Sequence, residues 1–425
     1  MAAFEDTWLE TIFVEGDRAV PLASENNLMA LLPMQKASGG VADQPFTLAG
    51  TRTTAGSYAD SKTKGTNAGG GSAGLHFKWL VPTGEMTHDI RIKDKDLQMS
   101  EGPQARANAL QLAVEQGVKQ FGQDLSNRFG GASGGSYGSG TYVSGSSFTL
   151  TFDDPDNARF LSPGQILDGA TTDGTSGSAL AQKAAVVSVN VDTGAVVLGT
   201  EAGGGASAAS PGAAWAAEDG NTLFLFNGYT FNTSLTDQVF GVAEWCPLAA
   251  ATSTIANVIR SVDTRLSGVR LTTAEAGSLS LADRVIELCA KGKDIAGWVN
   301  GDRYAIFNPR AWSVLCRQLA TLYGSNAVQV KTGQYGFSYV SVYTDVGEIK
   351  CISDRSCPKN IFRVIDFASA KVRTSNSKLV DFAKTNGALM SQLADGTNDH
   401  VVRPVCYNQV TPGNPAHHGV GSTSL

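Results

Sequence analysis

One stretch of the sequence, SEGPQARANALQLAVEQGVKQFGQDLSNRFGG, predicts a single long helix. Ser100 suits the N-cap, Pro103 suits the first turn, and Gly130 with Gly131 suits the end. Between these signals, large apolar residues recur every three or four positions, which places them on one helical face: Leu110, Val114, Val118, Phe121, Leu125 and Phe129. At a rise of 1.5 Å per residue the helix spans about 40 Å. A helix of this length can serve as a strut.

The chain has 425 residues, more than one hydrophobic core usually supports, so we expect two or three domains, or one core with large excursions. Apolar residues make up 42% and charged residues only 17%, which favours a globular protein whose surface is partly covered by other copies. The net charge is −6 without a dense Lys/Arg block, so specific nucleic-acid recognition is not expected. The start lacks a signal-peptide pattern, and no apolar run is long enough to cross a membrane. We therefore expect a soluble protein made in a cytoplasm.

Residues 1–48 lack a sustained period and suggest an arm. The Gly-, Ser-, Thr- and Lys-rich stretch at 51–74 should be a mobile loop. After it, LHFKWLV and THDIRIK alternate around PTGEM, which predicts a hairpin turned by Pro82 and Gly84. Trp79 lies in this hairpin with little of its own fold to pack against, so it is a candidate contact with a neighbouring chain.

Residues 131–232 contain short β-branched runs separated by Gly, Asp and Ser turns, with DTG at 192–194 as the clearest hairpin. We predict a small β-barrel or sandwich inserted into the parent domain. The Gly- and Ala-rich stretch 201–220 is predicted to be a loose surface loop.

An α/β pattern follows residue 245. One helix is predicted from TSTIANVIRSVDTRLSG, and a second runs from the cap Ser280 to Gly292. A third follows a strand, with Asn308 as N-cap, Pro309 at the first helical position and Gly324 as the stop. FSYVSVYTDV, EIKCIS and IFRVID predict three more strands, and TPGNPAHHGVGSTSL a frayed terminus.

We find no convincing catalytic, cofactor or metal signature. G-x-S-x-G occurs at 70–74 and 131–135, but within Gly/Ser-rich runs that lack the strand and helix of a nucleophile elbow. Asp153, Asp154 and Asp156 fit a turn better than a calcium loop. The six cysteines are far apart, with no CxxC pair, which favours reduced, mostly buried thiols: 246, 289, 316, 351, 357 and 406.

The order of these elements resembles the major capsid protein of tailed bacteriophages, the Hong Kong phage type of shell fold. The motifs that carry the resemblance are the long helix, YAIFNPRAWSVL and FRVIDFASAKV. It implies an α+β fold with these parts: an N-terminal arm at 1–48, an extended loop at 49–99 (a β-hairpin with a flexible tip), a peripheral domain with the spine helix at 100–130, the inserted β domain at 131–232, an axial domain with peripheral-domain strands at 233–365, and a C-terminal peripheral segment and tail at 366–425.

Two features depart from the minimal fold of that family: the inserted β segment, and the lack of a long, charged helical prosequence before the arm. A separate scaffolding protein would then assist assembly, or a segment was removed. Some relatives cross-link the loop through a lysine, and Lys62, Lys64 and Lys78 are available. We assign no cross-link.

The resemblance implies a structural virion protein without enzymatic activity or cofactor, assembled in the host cytoplasm into hexamers and pentamers of an icosahedral capsid. Its expected partners are itself, a scaffolding protein, a portal, a cement protein, and packaged DNA bound non-specifically, with no membrane. Candidate intersubunit contacts are Lys78, Trp79, Arg91, Arg310 and Arg317. The alternative for the two helical arginines is an ordinary solvated face. Alternative functions are a β-rich enzyme or glycan-binding protein, or another virion part such as a tail or decoration protein.

Overall fold

A computed structural model of the chain describes the following residues: 27–36, 41–47, 76–82, 84–88, 90–92, 103–131, 136–145, 148–172, 179–202, 205–207, 209–227, 239–252, 254–256, 258–323, 331–332, 338–375, 379–383, 390–392 and 400–424. The chain divides into two compact units. Unit 1 falls within Met1–Ala30, Thr83–Gly241 and Thr374–Gln409, and unit 2 falls within Leu31–Pro82, Val242–Arg373 and Val410–Leu425.

The helices of the described residues are, in chain order, α1 (Asn27–Leu31), α2 (Pro103–Gly130), α3 (Ala213–Ala216), α4 (Val242–Trp245), α5 (Thr273–Ala276), α6 (Leu281–Ala296) and α7 (Pro309–Tyr323). Short 3-10 turns occupy Pro155–Phe160, Arg260–Val262, Thr264–Ser267 and Pro415–His417.

The strands are β1 (Met34–Lys36), β2 (Val41–Thr47), β3 (His76–Pro82), β4 (Gly84–Thr87), β5 (Ile90–Ile92), β6 (Gly138–Val143), β7 (Thr149–Phe152), β8 (Ile166–Ala170), β9 (Ala184–Asn190), β10 (Ala195–Ala202), β11 (Gly205–Ser207), β12 (Thr222–Asn227), β13 (Thr254–Ile255), β14 (Val258–Ile259), β15 (Val269–Leu271), β16 (Arg303–Phe307), β17 (Lys331–Thr332), β18 (Ser338–Thr344), β19 (Gly347–Ser353), β20 (Ile361–Asp366), β21 (Lys371–Thr374), β22 (Asp381–Phe382), β23 (Met390–Gln392), β24 (His400–Val402), β25 (Pro404–Thr411) and β26 (Gly419–Ser422).

Helix α2 is the predicted long helix, and its 28 residues span about 42 Å. The six apolar side chains predicted to share one face are all buried, which confirms that face as a core face. Its first half packs on β5, which pairs with β24, and β24 pairs with β23. Gly117 lies at the closest approach, because a Cβ there would lie 2.5 Å from two side-chain carbons of Ile90.

The segment 138–227 of unit 1 forms a closed six-stranded antiparallel barrel. The strand order is β10, β7, β6, β12, β8 and β9, and pairing of β9 with β10 closes the ring. This confirms the barrel alternative of the sequence prediction. The DTG hairpin is also confirmed: Asn190 Oδ1 accepts hydrogen bonds from the backbone of Asp192 and Thr193, and Gly194 turns with φ of 74°. The Asp153–Asp156 run forms the predicted turn, with Asp154 as a cap.

The prediction of a loose loop at 201–220 was wrong. Residues 213–216 form α3, and Trp215 is completely buried in the barrel core. Its indole lies edge to face against Tyr142, with ring centroids 5.6 Å apart, and donates a 2.7 Å hydrogen bond to the carbonyl oxygen of Gln182. One aromatic residue among small ones therefore fixes this segment, because its apolar area is large enough to order the chain around it.

The barrel is held against α2 within unit 1. Tyr137 lies where the chain enters β6, and its hydroxyl donates a 3.1 Å hydrogen bond to Asp124 Oδ1 on α2. Gln165 of the barrel donates a 2.9 Å hydrogen bond to the same hydroxyl oxygen. Burial and the nearby Asp124 carboxylate raise the pKa of Tyr137 well above its ordinary value, so the phenol stays protonated and keeps donating.

Unit 2 is built on a seven-stranded mixed sheet in the order β15, β26, β20, β16, β19, β18 and β17. Strand β16 is parallel to β19 and antiparallel to β20, and β15 is parallel to β26. Helices α6 and α7 contact each other and the sheet. The predicted strands at 338–344, 347–353 and 361–366 are confirmed. Ser280 caps α6 as predicted, but the helix continues past Gly292 and ends at Ala296, where Gly297 adopts φ of 65°.

The predicted hairpin at 75–93 was wrong in its partners. Strand β3 pairs with β2 over 41–47, whereas β4 pairs with β25 and β5 pairs with β24. Alternation identified the strands but not their partners, because register depends on residues far along the chain. The predicted mobile tip at 51–74 lies outside the described residues.

The predicted helix over 252–268 was also wrong. Its residues form the short pair β13 and β14 followed by two 3-10 turns. Asp263 accepts a 2.9 Å hydrogen bond from the backbone of Arg265 and also binds its guanidinium, a local arrangement that competes with helical hydrogen bonds. Ile259 and Val262 of the supposed apolar face are exposed.

The predicted frayed terminus at 411–425 is instead part of the unit 2 core. Strand β26 lies between β15 and β20, inside the sheet. A Cβ on Gly419 would lie 2.8 Å from the Trp298 ring, and one on Gly421 would lie 2.4 Å from the Phe362 ring. The small residues that suggested disorder therefore permit close packing against aromatic side chains.

Candidate assembly surfaces

Helix α7 begins where the sequence predicts. Asn308 is fully buried, its Oδ1 accepts a 3.0 Å hydrogen bond from the Arg310 backbone, and its Nδ2 donates one to the carbonyl oxygen of Cys357. The buried face carries Ala311, Leu315 and Leu319. Strand β16 and this cap therefore fix the direction of the helix, and with it the direction of the opposite face.

That opposite face carries Arg310, Ser313, Arg317 and Thr321, all exposed. We call Arg310 and Arg317 the arginine stripe. Helix α7 contains no Asp or Glu. Within the described residues Arg317 makes one hydrogen bond, from Nε to the carbonyl oxygen of Ser313 at 3.4 Å. Both side chains are exposed, which fits a subunit contact and an ordinary solvated face equally, so their role as subunit contacts stays a prediction.

Helix α6 carries both acidic and basic residues, and two of its exposed acids were missed by the sequence analysis. Glu287 and Asp294 are exposed and seven residues apart, so they lie on one face; we call them the acidic stripe. In the part of the chain that the structure describes, neither carboxylate has a hydrogen bond or an ion pair. The exposed Ile286 and Ile295 stand next to them in the sequence. The spacing was visible in ELCAKGKD, but only a defined helix shows that both acids point away from the core.

Trp79 does not belong to an exposed contact surface. Its side chain is 0% exposed, it lies edge to face against Trp245 with centroids 4.9 Å apart, and its Nε1 donates a 3.1 Å hydrogen bond to the carbonyl oxygen of Gly413. The expectation of a contact with a neighbouring chain is corrected on this ground, because the ring already has its apolar and polar partners in unit 2.

Lys78 and Arg91 can be placed by their backbones alone. Lys78 lies on β3 opposite Pro45 of β2, and Arg91 lies on β5 opposite Val401 of β24. Lys78 belongs to unit 2, as do Arg310 and Arg317, whereas Arg91 belongs to unit 1. Their proposed contacts remain predictions.

A serine and a histidine meet in unit 2, but their chemistry is not that of a nucleophile and its base. Ser369 Oγ lies 3.2 Å from His418 Nε2. However, His418 Nδ1 accepts a hydrogen bond from the Asp366 backbone at 3.2 Å, so the ring proton is on Nε2 and is donated to the Pro412 carbonyl oxygen at 2.7 Å. Burial lowers the pKa of His418 to about 4. The nitrogen facing Ser369 therefore cannot take its proton.

The cysteines behave as core residues. Five are buried and Cys316 is half-buried, as predicted. Burial raises the pKa of Cys246 and Cys289 to about 12, so these thiols stay protonated and unreactive at neutral pH. Among the described residues, no group of three or more His, Cys, Asp or Glu side chains is placed to hold a metal ion.

No protein family model and no curated protein matches the chain. Several solved structures resemble it. The match to the capsid asymmetric unit of cyanophage A-1(L) covers 96% of this chain and 94% of the phage chain, with a TM-score of 0.49 and 11% identity. The match to the procapsid of satellite phage P4 covers 98% of this chain and 90% of the P4 chain, with a TM-score of 0.42 and 10% identity. The match to the capsid of cyanophage P-SCSP1u covers 97% of this chain and 94% of the phage chain, with a TM-score of 0.41 and 11% identity.

These structural neighbours are phage capsids. The order of sequence elements resembles the same class of protein.

Proposed function

We propose that this chain is the major capsid protein of a tailed phage, whose copies form hexamers and pentamers of an icosahedral shell around double-stranded DNA. The observation that carries the proposal is α2 in unit 1. It is a 28-residue helix buried along one face on a sheet formed by 90–92, 390–392 and 400–402. A spine helix on strands from distant parts of the chain is what the sequence resemblance implies for the peripheral domain.

Unit 2 fits the role of the axial domain. Its mixed sheet carries two capped helices that present charged outer faces, and two large side chains are also strongly exposed, Val299 at 70% and Tyr343 at 72%. A shell closes correctly when each contact is weak and reversible, with millimolar affinity equivalent to about 4 kcal/mol, and when many contacts act together. Dispersed charges and single apolar side chains suit such contacts better than one large apolar patch.

The net charge of −6 is consistent with a protein shell that encloses DNA without binding it tightly. An acidic surface does not bind DNA phosphates tightly, so the packaged genome can be enclosed and released. We further propose assembly in the host cytoplasm with a scaffolding protein, a portal and a cement protein, and residence of the mature protein in the virion. Across the described residues, the longest and most apolar helices fall short of what a membrane crossing needs.

The two alternative functions, a β-rich glycan-binding protein or enzyme and another virion part, find little support in the structure. A glycan-binding or enzymatic barrel needs room for a ligand, whereas this barrel is filled by its own side chains, including Trp215 and Tyr142. A hydrolase needs a base with a usable lone pair, which His418 does not offer to Ser369. A tail or decoration protein has no evident need for the spine helix and a separate α/β unit.

Sedimentation velocity on the purified full-length protein tests the proposal. We expect capsomers and particles far larger than a 44.3 kDa monomer. A single small oligomer that persists over a hundredfold range of concentration, with and without scaffolding protein, would contradict it.

A further inference from the structure

The arginine stripe on α7 and the acidic stripe on α6 have the same spacing. Arg310 and Arg317 are seven residues apart, as are Glu287 and Asp294. At 1.5 Å per residue each pair spans about 10.5 Å along its helix. Two helices lying side by side could therefore match both guanidinium groups with both carboxylates at once.

Among the described residues of one chain, no ion pair joins Arg317 to Glu287 or Asp294. The helices are held in place by Gln318, whose Oε1 accepts a 2.9 Å hydrogen bond from the backbone of Leu281 at the start of α6. Other charges of unit 2 are paired within the chain. Lys291, which lies on α6 between Glu287 and Asp294, binds Glu275 at 2.5 Å, and Lys350 binds Asp302 at 3.2 Å. Glu287, Asp294 and the Arg317 guanidinium have no such ion pair among the described residues, so their charges remain available to another molecule.

We propose that the arginine stripe of one copy binds the acidic stripe of the next copy. The inference rests on the proposed self-assembly and names the surfaces that carry it. A contact in which one copy gives the cations and the next copy gives the anions is head to tail, and repeating it generates a ring when the rotation between copies closes. Ile286 and Ile295, exposed by 36% and 40%, lie beside the acids and add apolar area to the contact.

The chemistry of this contact predicts a strong dependence on salt. All four charged groups are exposed, so mobile ions screen their attraction over a distance of about 10 Å at 0.1 M salt. Association should therefore weaken when sodium chloride is raised from 50 mM to 500 mM. The contact should also tolerate lysine in place of arginine better than it tolerates a change of sign.

Charge reversal in the full-length chain tests the proposal. R310E/R317E and E287R/D294R should each weaken association at least tenfold in sedimentation and light scattering, because like charges then face each other. The quadruple variant R310E/R317E/E287R/D294R restores opposite charges and should regain association. R355E/K359E makes the same charge change as R310E/R317E elsewhere in unit 2, and should associate as the unaltered chain does.

Circular dichroism and thermal unfolding of each variant establish that it is folded. Normal association of both double variants would overturn the proposal, as would a folded quadruple variant that associates no better than they do. If the unaltered chain forms only small oligomers, the proposed capsid function fails. The stripe contact is then judged by the dissociation constant of those oligomers, which the double variants must raise and the quadruple variant must restore.

Discussion

The indole nitrogen of Trp79 donates a 3.1 Å hydrogen bond to the carbonyl oxygen of Gly413, 334 residues further along the chain. The same ring packs edge to face on Trp245. Strand β3 is thereby fixed in unit 2 next to the C-terminal segment.

Trp79→Ala should destabilise unit 2 by about 3–5 kcal/mol, because it removes a fully buried ring and leaves the Gly413 carbonyl without its partner. Trp79→Phe keeps most of the apolar area, loses only the N–H donor, and should cost less. Urea unfolding of the unassembled protein measures both. If W79A assembled poorly but unfolded like the unaltered chain, Trp79 would be an intersubunit contact after all.

Gly117→Ala should destabilise unit 1 by about 1–3 kcal/mol, although alanine favours helices by up to about 1 kcal/mol over glycine. The new methyl group would overlap the Ile90 side chain, whose nearest atoms are 2.5 Å from the Cβ position. Ile90→Ala removes those atoms, so the double variant should lose less stability than the two single changes added together. Strict additivity in thermal unfolding would show that α2 does not press on β5 at this point.

Trp215→Ala should unfold or loosen the barrel, at a cost of about 3–5 kcal/mol, since it empties the centre of the barrel core and removes the hydrogen bond to Gln182. The near-UV circular dichroism of the barrel aromatics should weaken. Val191→Ala is the matched control, because Val191 is exposed in the β9–β10 turn and should change stability by no more than about 0.5 kcal/mol. Equal stability of the two variants would refute the assignment of Trp215 as a core residue.

Unit 2 should lose stability on acidification through His418. Its pKa is lowered by burial to about 4, against the ordinary value of 6.5, so the neutral ring stabilises the fold fully above pH 6.5 and this contribution is lost as the pH falls towards 4. The loss between pH 7 and pH 5 is about 2 kcal/mol. The Asp366 carboxylate, Arg303 and His417 lie near the ring and remain in the comparison variant.

His418→Gln removes the titrating ring, so its unfolding free energy should fall less between pH 7 and pH 5 than that of the unaltered chain. Chemical denaturation at the two pH values measures the difference. Parallel pH dependences for the two proteins would exclude His418 as the source.

The elements that the sequence predicts well are those whose signals are local. Leu110 to Phe129 repeat with helical period, and Asn308 with Pro309 caps α7, so both helices were predictable. The failures have long-range causes. Strand β4 pairs with residues near 405, and Gly419 and Gly421 are required by aromatic rings at 298 and 362. These distant partners cannot be recognised from the local sequence. In the same way, the sequence around Trp215 does not show that its side chain fills the barrel core.

Of the two candidate surfaces, only the arginine stripe could be predicted from the sequence, because its signal is local to one helix. The outward direction of Arg310 and Arg317 follows from the stripe of Leu315 and Leu319 on the other side of one helix. Pairing them with Glu287 and Asp294 required knowing that α6 extends beyond Gly292, which brings Asp294 into the helix. Trp79 was misjudged because its partners, Trp245 and Gly413, are distant in sequence.

Electron microscopy of the purified full-length chain, with co-expressed scaffolding protein where needed, tests the central claim most directly. The account predicts closed, hollow particles of uniform diameter with five-fold and six-fold clusters on their surface. A field of compact single molecules or small oligomers under all these conditions would contradict it.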